Sequence, residues 1–218
     1  MTLTALLLLA DGRFPGGGHA HSGGLEPAVA DGAVYDLASL ESFLAGRLLT
    51  TGEVEAWLAA AACAGADPRE LDAEADARCP SAALRQASRR LGRGLRRAAA
   101  ASWPLLAGAP GAEHQAVVQG LVARAAGLSP PDAARLPGAA LLAGAASATP
   151  KLLPLDAADA MAVATRLAPL ADRVADAGAR SATLAPSEGP VGSAPLLELR
   201  AEVHAVWPEQ GKVRLFAS

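Results

Sequence analysis

The chain has 218 residues, of which 51% are hydrophobic and only 3% aromatic, and its formal net charge is −3. This length and hydrophobic content are sufficient for one large domain with its own core. The near balance of 19 basic and 22 acidic residues argues against a general nucleic-acid-binding role. Because strand-forming residues are scarce and alanine and leucine abound, the composition predicts an all-α, single-domain bundle of roughly nine to ten helices.

The sequence offers no argument for a membrane protein or a disulfide-rich one. The apolar start MTLTALLLLA lacks the basic residues of a secretory leader, and its apolar run ends at Asp11. No segment reaches the roughly 18 uninterrupted apolar residues of a membrane span. Cys63 and Cys79 are too few and too far apart for a disulfide framework or a familiar zinc site. We therefore expect a cytoplasmic protein with reduced thiols and no membrane or nucleic-acid partner.

A glycine-rich segment at 12–24 follows the first apolar helix. It contains the sequence GRFPGGGHAHSGG, with five glycines in the nine positions from 16 to 24. Glycine loses more backbone entropy on folding than any other residue, so this density indicates positive φ angles or close backbone contacts. We expect the segment to be ordered by burial and to present a surface.

Apolar periodicity predicts the later elements in chain order. A short helix from Leu25 to about Asp31 has Ser22 or Gly23 near its N-cap and Glu26 in its first turn. An apolar stripe from Leu37 to Leu48 predicts a helix that Gly52 ends. Further helices are predicted over residues 53–64, 67–76, 82–101, 114–126, 130–147, 156–177 and 196–206, of which 82–101 is the longest uninterrupted one and 156–177 has a kink at Pro169. The segment near 185–195 is predicted to be a flexible loop, and 207–218 a C-terminal tail.

The motifs of common enzymes are missing from the sequence. There is no Gly-x-x-x-x-Gly-Lys-Ser/Thr phosphate-binding loop, and Ser22 beside His21 lies in no Gly-x-Ser-x-Gly turn. His19 and His21 are weak candidates for metal ligands, because two histidines two residues apart still need a third ligand and supporting residues. The more ordinary interpretation is that His21 hydrogen-bonds the backbone of the glycine turn. The sequence thus predicts no catalytic residue, no resident cofactor and no stable metal site.

One predicted helix is strongly basic. Within thirteen residues it carries six arginines, namely Arg85, Arg89, Arg90, Arg93, Arg96 and Arg97. No aromatic residue is interleaved with them, which favours a solvated helix face paired in part with the acidic segment at 67–76 over a nucleic-acid surface. A helical scaffold that binds RNA or an acidic partner through Arg85–Arg97 stays open as an alternative.

Ordered motifs along the chain resemble the urease accessory protein UreF family. The N-terminal pattern matches at Ala10, Asp11, Phe14, Pro15, Gly17, Gly18, His21, Ser22, Gly24, Leu25 and Glu26. Segments 88–93, 114–120 and 166–170 are similar to motifs from the middle of the family. The end of the chain is similar in Pro195–Leu199, His204 and the final residues VRLFAS. His19 stands where the family pattern usually has an aromatic residue.

The resemblance implies a non-enzymatic, all-α chaperone of nickel insertion into urease. Proteins of this family bind the accessory protein UreD, also called UreH, and with it recruit the GTPase UreG to the urease apoprotein; a homodimer within the complex is expected. The residues that the resemblance nominates for partner binding are Arg13, Phe14, Pro15, Gly17, Gly18, His21, Ser22, Glu26, Arg166, Arg214, Leu215 and Phe216. A rival hypothesis is a GTPase-activating regulator that offers Arg13 or Arg166 in trans.

Overall fold

A computed structural model describes residues 3–12, 14, 21–104, 106, 113–192 and 194–216. Within these residues the chain forms ten α-helices and no strand, with short 3-10 turns that include Pro186–Glu188 and Pro208–Gln210. The helices are α1 Leu3–Ala10, α2 Leu25–Ala30, α3 Leu37–Leu49, α4 Thr51–Ala64, α5 Pro68–Ala77, α6 Ala82–Ala100, α7 Gln115–Ala125, α8 Pro130–Leu152, α9 Ala157–Arg180 and α10 Pro195–Ala205. The prediction of an all-α fold is confirmed.

Three helices, α4, α8 and α9, form the centre of the bundle, and small residues let them pack closely. Trp57 of α4 is fully buried, and its indole Nε1 donates a hydrogen bond to the carbonyl of Ser181 at 3.2 Å. A Cβ at Gly178 of α9 would lie 2.7 Å from the Trp57 backbone nitrogen, and one at Gly120 of α7 would lie 2.2 Å from the Ala59 carbonyl oxygen. Both glycines are therefore required by backbone contact between helices.

Several predicted boundaries need correction. The expectation that Gly52 ends a helix is wrong, because α3 ends at Leu49 and Gly52 is buried in the first turn of α4. The helix predicted to stop at 147 continues through Pro150 to Leu152. At 23 and 24 residues, α8 and α9 are longer than the 19-residue α6, but both contain internal prolines, and α6 is the longest described helix without one, as expected. Tertiary packing of buried faces overrides local helix-stop signals at these positions.

The segment at 185–195 contacts the surface of α4 and α5. The Arg78 guanidinium lies 4.9 Å above the Trp57 ring centre and donates a hydrogen bond to the Pro190 carbonyl at 2.9 Å. Gly189 packs against the same indole, where a Cβ would lie within 2.5 Å of ring atoms. The segment that was predicted to be a flexible loop therefore makes specific contacts with Arg78 and Trp57. No helix in the described part of the chain is long and apolar enough to cross a membrane.

Candidate partner-binding site

The N-terminal signature and the C-terminal tail meet at the side chain of Glu26. This carboxylate is buried in the first turn of α2. It accepts hydrogen bonds from the Leu215 backbone N–H at 2.7 Å, the Phe216 backbone N–H at 3.0 Å and the His204 imidazole Nε2 at 2.9 Å. A carboxylate that accepts several N–H bonds in a buried setting forms strong, charge-assisted hydrogen bonds. We call these four residues, Glu26, His204, Leu215 and Phe216, the tail latch.

Local backbone geometry places Glu26 for this role. Gly24 is the N-cap of α2 with φ 87°, a left-handed conformation that side chains other than glycine adopt poorly. Ser22 lies one turn earlier, and its Oγ accepts a hydrogen bond from the Glu26 backbone N–H at 3.2 Å. The prediction that Ser22 or Gly23 lies near the N-cap agrees with this geometry, since the N-cap itself is Gly24. Ser22 still satisfies one of the free amide groups of this first helical turn.

His204 completes the tail latch from α10. Its ring is 2% exposed and packs edge-on against Trp207, with ring centres 4.6 Å apart. Burial lowers the pKa of His204; the hydrogen bond and charge of Glu26 act in the opposite direction, and the nearby Arg214 adds to the lowering. The lowered pKa keeps the imidazole neutral at pH 7, with Nε2–H as the donor to the Glu26 carboxylate.

The tail residues on either side of the tail latch face different surroundings. Phe216 is 6% exposed and belongs to the main core, and the Lys151 ammonium lies 5.5 Å from its ring centre. Leu215 and Val213 are 62% and 80% exposed. Chain ends usually fray unless they dock, so the burial of Phe216 and the two backbone bonds to Glu26 explain how this tail is held.

The helix α10, which carries His204 of the tail latch, also has an exposed apolar surface. Four side chains spaced three, four and three residues apart are exposed on one side of the helix: Leu196, Leu199, Val203 and Val206. We call these four residues the outer face of α10. Contiguous exposed apolar side chains on a helix are typical of a protein–protein contact surface. The sequence alone did not single out this face.

The other nominated residues are distributed over the bundle. Arg166 of α9 pairs with Glu41 of α3 at 2.7 Å, so it belongs to a different surface from the tail latch. Phe14 packs beside the buried Val118 and Val122 of α7. The remaining nominated positions, Arg13, Pro15, Gly17, Gly18 and His19, lie outside the described residues.

His21 lines a cavity of about 460 Å³ between the helices. Leucine and alanine are the commonest residues in its wall, and Arg47 and Glu55 belong to its polar part. Burial lowers the pKa of Arg47 and raises that of Glu55, and each is opposed by the charge of the other. Sequence reasoning did not identify Arg47 or Glu55, since they lie inside ordinary helical patterns. Within the described ranges, no three His, Cys, Asp or Glu side chains are grouped as a metal site.

A Ser-His-Asp arrangement near α7 has a structural role. Ser88 Oγ lies 3.1 Å from His114 Nδ1, and His114 Nε2 lies 3.0 Å from Asp76 Oδ1. In a serine hydrolase the serine bonds Nε2 and the carboxylate bonds Nδ1, which is the reverse of this order. Ser88 Oγ also accepts the backbone N–H of Gln115 at 3.1 Å. The group therefore caps the N-terminus of α7.

The basic face of α6 is paired with carboxylates as the sequence predicted. Arg85 and Arg89 both pair with Asp76 of the acidic helix α5, Arg85 at 3.7 Å. Arg93 pairs with Glu113 at 2.8 Å. This pairing confirms the interpretation of these three arginines as part of a solvated, salt-bridged face.

The geometry defines an all-helical protein whose distinctive features are a docked tail and an exposed apolar helix face. The family model for UreF matches residues 34–168. The chain is 43% identical over 210 residues to a urease accessory protein UreF of Mycolicibacterium vanbaalenii, covering 93% of this chain and 94% of that protein. It is 44% identical over 211 residues to the UreF of Mycobacterium sp. strain JLS, covering 94% and 95%. It is 41% identical over 210 residues to that of Mycobacterium tuberculosis, covering 93% and 94%.

The chain belongs to the UreF family of urease accessory proteins. By its name, this family consists of accessory proteins of urease.

Proposed function

We propose that this chain is a docking subunit for urease maturation in the cytoplasm. It binds UreD/UreH, presents its C-terminal tail to the GTPase UreG, and so assists nickel insertion into the urease apoprotein. The observation that supports this proposal most strongly is the outer face of α10, which exposes four apolar side chains on the same helix that contributes His204 to the tail latch. A homodimer within the complex is part of the proposal on the ground of the family resemblance.

The outer face of α10 supplies apolar area for the UreD/UreH contact. Leu196 and Leu199 are 66% and 62% exposed in the isolated chain. Burying a leucine side chain completely is worth about 1.5–3 kcal/mol, so two or three such residues at the centre of an interface are a substantial part of its affinity. The cost of ordering the surface is small because the face lies on a formed helix.

The tail latch supports the GTPase contact by fixing the tail before a partner arrives. Glu26 holds the backbone of Leu215 and Phe216, and this leaves the exposed side chain of Leu215 at the surface. Arg214 is the adjacent charged residue, and an arginine fork binds carboxylate or phosphate in two parallel bonds. A preorganised segment loses less conformational entropy on binding than a free one.

Copurification with the host's UreD and UreG homologues tests the proposal. Leu199→Glu should abolish or strongly weaken the complex with the UreD homologue, because it places a charge in an apolar contact. Met161→Glu is the matched control, since Met161 is also an exposed apolar residue, 51% exposed, but lies on α9. Failure of the unaltered chain to form either complex, or equal binding by the two variants, would contradict the proposal.

The alternative of an arginine offered in trans to a GTPase gains no specific support. Arg166 is occupied by Glu41 through both its Nε and its Nη2, at 3.1 and 2.7 Å. Arg13 lies outside the described residues. GTP hydrolysis by the UreG homologue, measured with and without this chain, separates the two functions, because a docking subunit alone leaves the chemical step at its intrinsic rate.

A further inference from the structure

A second, smaller cleft lies between α2, α6, α10 and the tail. Its volume is about 220 Å³. The ionisable side chains that line it are Arg90 of α6, His204 of α10 and Arg214 of the tail, and no described carboxylate side chain is part of its lining. The cleft is therefore positive in character, although the chain as a whole has a net charge of −3.

Among the described residues, neither arginine of this cleft has an ionic partner, in contrast to Arg89 and Arg93. Arg89 and Arg93, on the same helix as Arg90, pair with Asp76 and Glu113. Within the described parts of the chain, neither Arg90 nor Arg214 forms a salt bridge, and α6 itself carries no acidic residue. A guanidinium keeps its charge at any physiological pH, so two of them beside one small cleft favour an anionic occupant.

The third ionisable group, His204, adds no negative charge to the cleft. Its Nε2 is hydrogen-bonded to Glu26, whose carboxylate accepts three bonds within the tail latch and does not line the cleft. Arg214 is attached directly to the latched Leu215, so the tail latch fixes the position of one wall of the cleft. Arg90 belongs to the regular helix α6, which contributes another part of the lining.

We propose that this cleft binds the carboxylate of an aspartate or glutamate side chain belonging to a partner protein. The volume is below the roughly 300–1,000 Å³ typical of sites for drug-sized ligands and cofactors, which favours a single side chain over a nucleotide. Arginine pairs bind carboxylates through short, charge-assisted hydrogen bonds in defined geometry. The identification of the occupant as part of a partner rests on the proposed docking function, whereas the preference for a carboxylate rests on the cleft alone.

The test uses the full-length chain and a blocked tetraglutamate peptide as the probe. The side-chain Nε–Hε signals of Arg90 and Arg214 are followed by NMR during the titration. Both signals should shift, and Arg90→Gln should weaken the apparent affinity about tenfold or more, as expected for the loss of one hydrogen-bonded charge. Arg97→Gln is the matched control, because Arg97 is an exposed arginine two turns further along α6 that does not line the cleft. It should leave the affinity within about twofold.

Three results would overturn the inference. These are the absence of any shift at Arg90 and Arg214, an equal loss of affinity in Arg90→Gln and Arg97→Gln, and a response to inorganic phosphate without a response to the peptide. The last result would identify a small-anion site instead of a side-chain site. Peptide binding that weakens when NaCl is raised from about 50 to about 500 mM would support the ionic contact. Because the peptide needs no partner protein, a failed copurification would contradict the docking function but would not contradict the carboxylate site in the cleft.

Discussion

Two buried histidine–carboxylate pairs stabilise different kinds of structure in this protein. His204 and Glu26 are both almost fully buried and hold the backbone of the tail. His114 is equally buried, but its partner Asp76 is 39% exposed and is shared with two arginines. The first pair is a main tether of a chain end, and the second strengthens a helix terminus that packing already holds. Similar histidine–carboxylate pairs thus hold the chain end in one region and a helix terminus in the other.

The largest expected effect comes from removing the tail tether. Glu26→Ala leaves three donors without their acceptor, two of them in buried hydrogen bonds, so we expect the free energy of unfolding to fall by about 3 kcal/mol and the amides of Leu215 and Phe216 to exchange freely. Urea denaturation and amide hydrogen exchange measure the two effects. The control is Glu41→Ala, which removes an exposed pairing partner of Arg166 and should cost at most about 1 kcal/mol. Equal losses of unfolding free energy in both variants would contradict the role of Glu26 as a main tether of the tail.

The next effect concerns the glycine that starts α2. Gly24 has φ 87°, and a Cβ there would lie 2.4 Å from Leu197 Cδ1, so Gly24→Ala should destabilise the fold by about 1–2 kcal/mol. The variant should also weaken binding of the UreD homologue. The predicted counterparts Gly17 and Gly18 lie outside the described residues.

Gly144→Ala is the matched control for the glycine prediction. Gly144 lies within α8, and nothing is within 4 Å of the Cβ that alanine would add. Alanine there should stabilise the chain by roughly 0.5–1 kcal/mol. Thermal unfolding gives the sign of each change. Equal signs for the two variants would contradict the role assigned to Gly24.

A smaller effect on stability should appear when the pH is lowered, and we expect it to come from His204. The pKa of His204 is lowered in the fold, so protons bind the unfolded chain more readily, and stability should decrease as pH falls below about 6.5. His204→Gln should flatten this part of the pH profile. A pH profile between about 7 and 5 that is unchanged by the substitution would contradict the assignment.

The smallest effect on stability is expected from the pair of His114 and Asp76, at a more acidic pH. Burial raises the pKa of Asp76, but the hydrogen bond and charge of His114 and the pairing with Arg89 outweigh it, so that the pKa is lowered overall. Its contribution is present above the ordinary value of about 4 and is lost as pH falls through the lowered pKa. Asp76→Asn should reduce the loss of stability in that acidic range, measured by urea denaturation. A profile that matches the unaltered chain there would argue against the pair.

Most of the fold could be predicted from the sequence because its helices have regular apolar spacing and clear starting residues. Asp67 with Pro68, Ser81 and Ser129 all cap helices that the sequence placed within a few residues. The failures at Gly52 and at the end of α8 arise where buried positions, Gly52 itself and Thr149, outweigh local helix-stop signals. Burial depends on the packing of the whole fold and has no signature in the neighbouring residues.

The candidate site was only half predictable. The motif resemblance nominated Glu26, Leu215 and Phe216 separately, but the pairing of residues 189 and 190 positions apart is a property of the fold. His204 appeared in the sequence as part of a C-terminal motif without a role, and Arg90 appeared as one of six similar arginines. Among the described residues no carboxylate pairs with Arg90. This depends on where α6 lies against α10 and the tail, which the local sequence does not encode.

Deletion of residues 213–218 shows whether the latched tail recruits the GTPase and whether the helical bundle folds without it. The truncated chain should keep a helical circular dichroism spectrum and its complex with the UreD homologue, and it should fail to recruit the UreG homologue in copurification. Recruitment of the UreG homologue by the truncated chain at unchanged affinity would contradict the account.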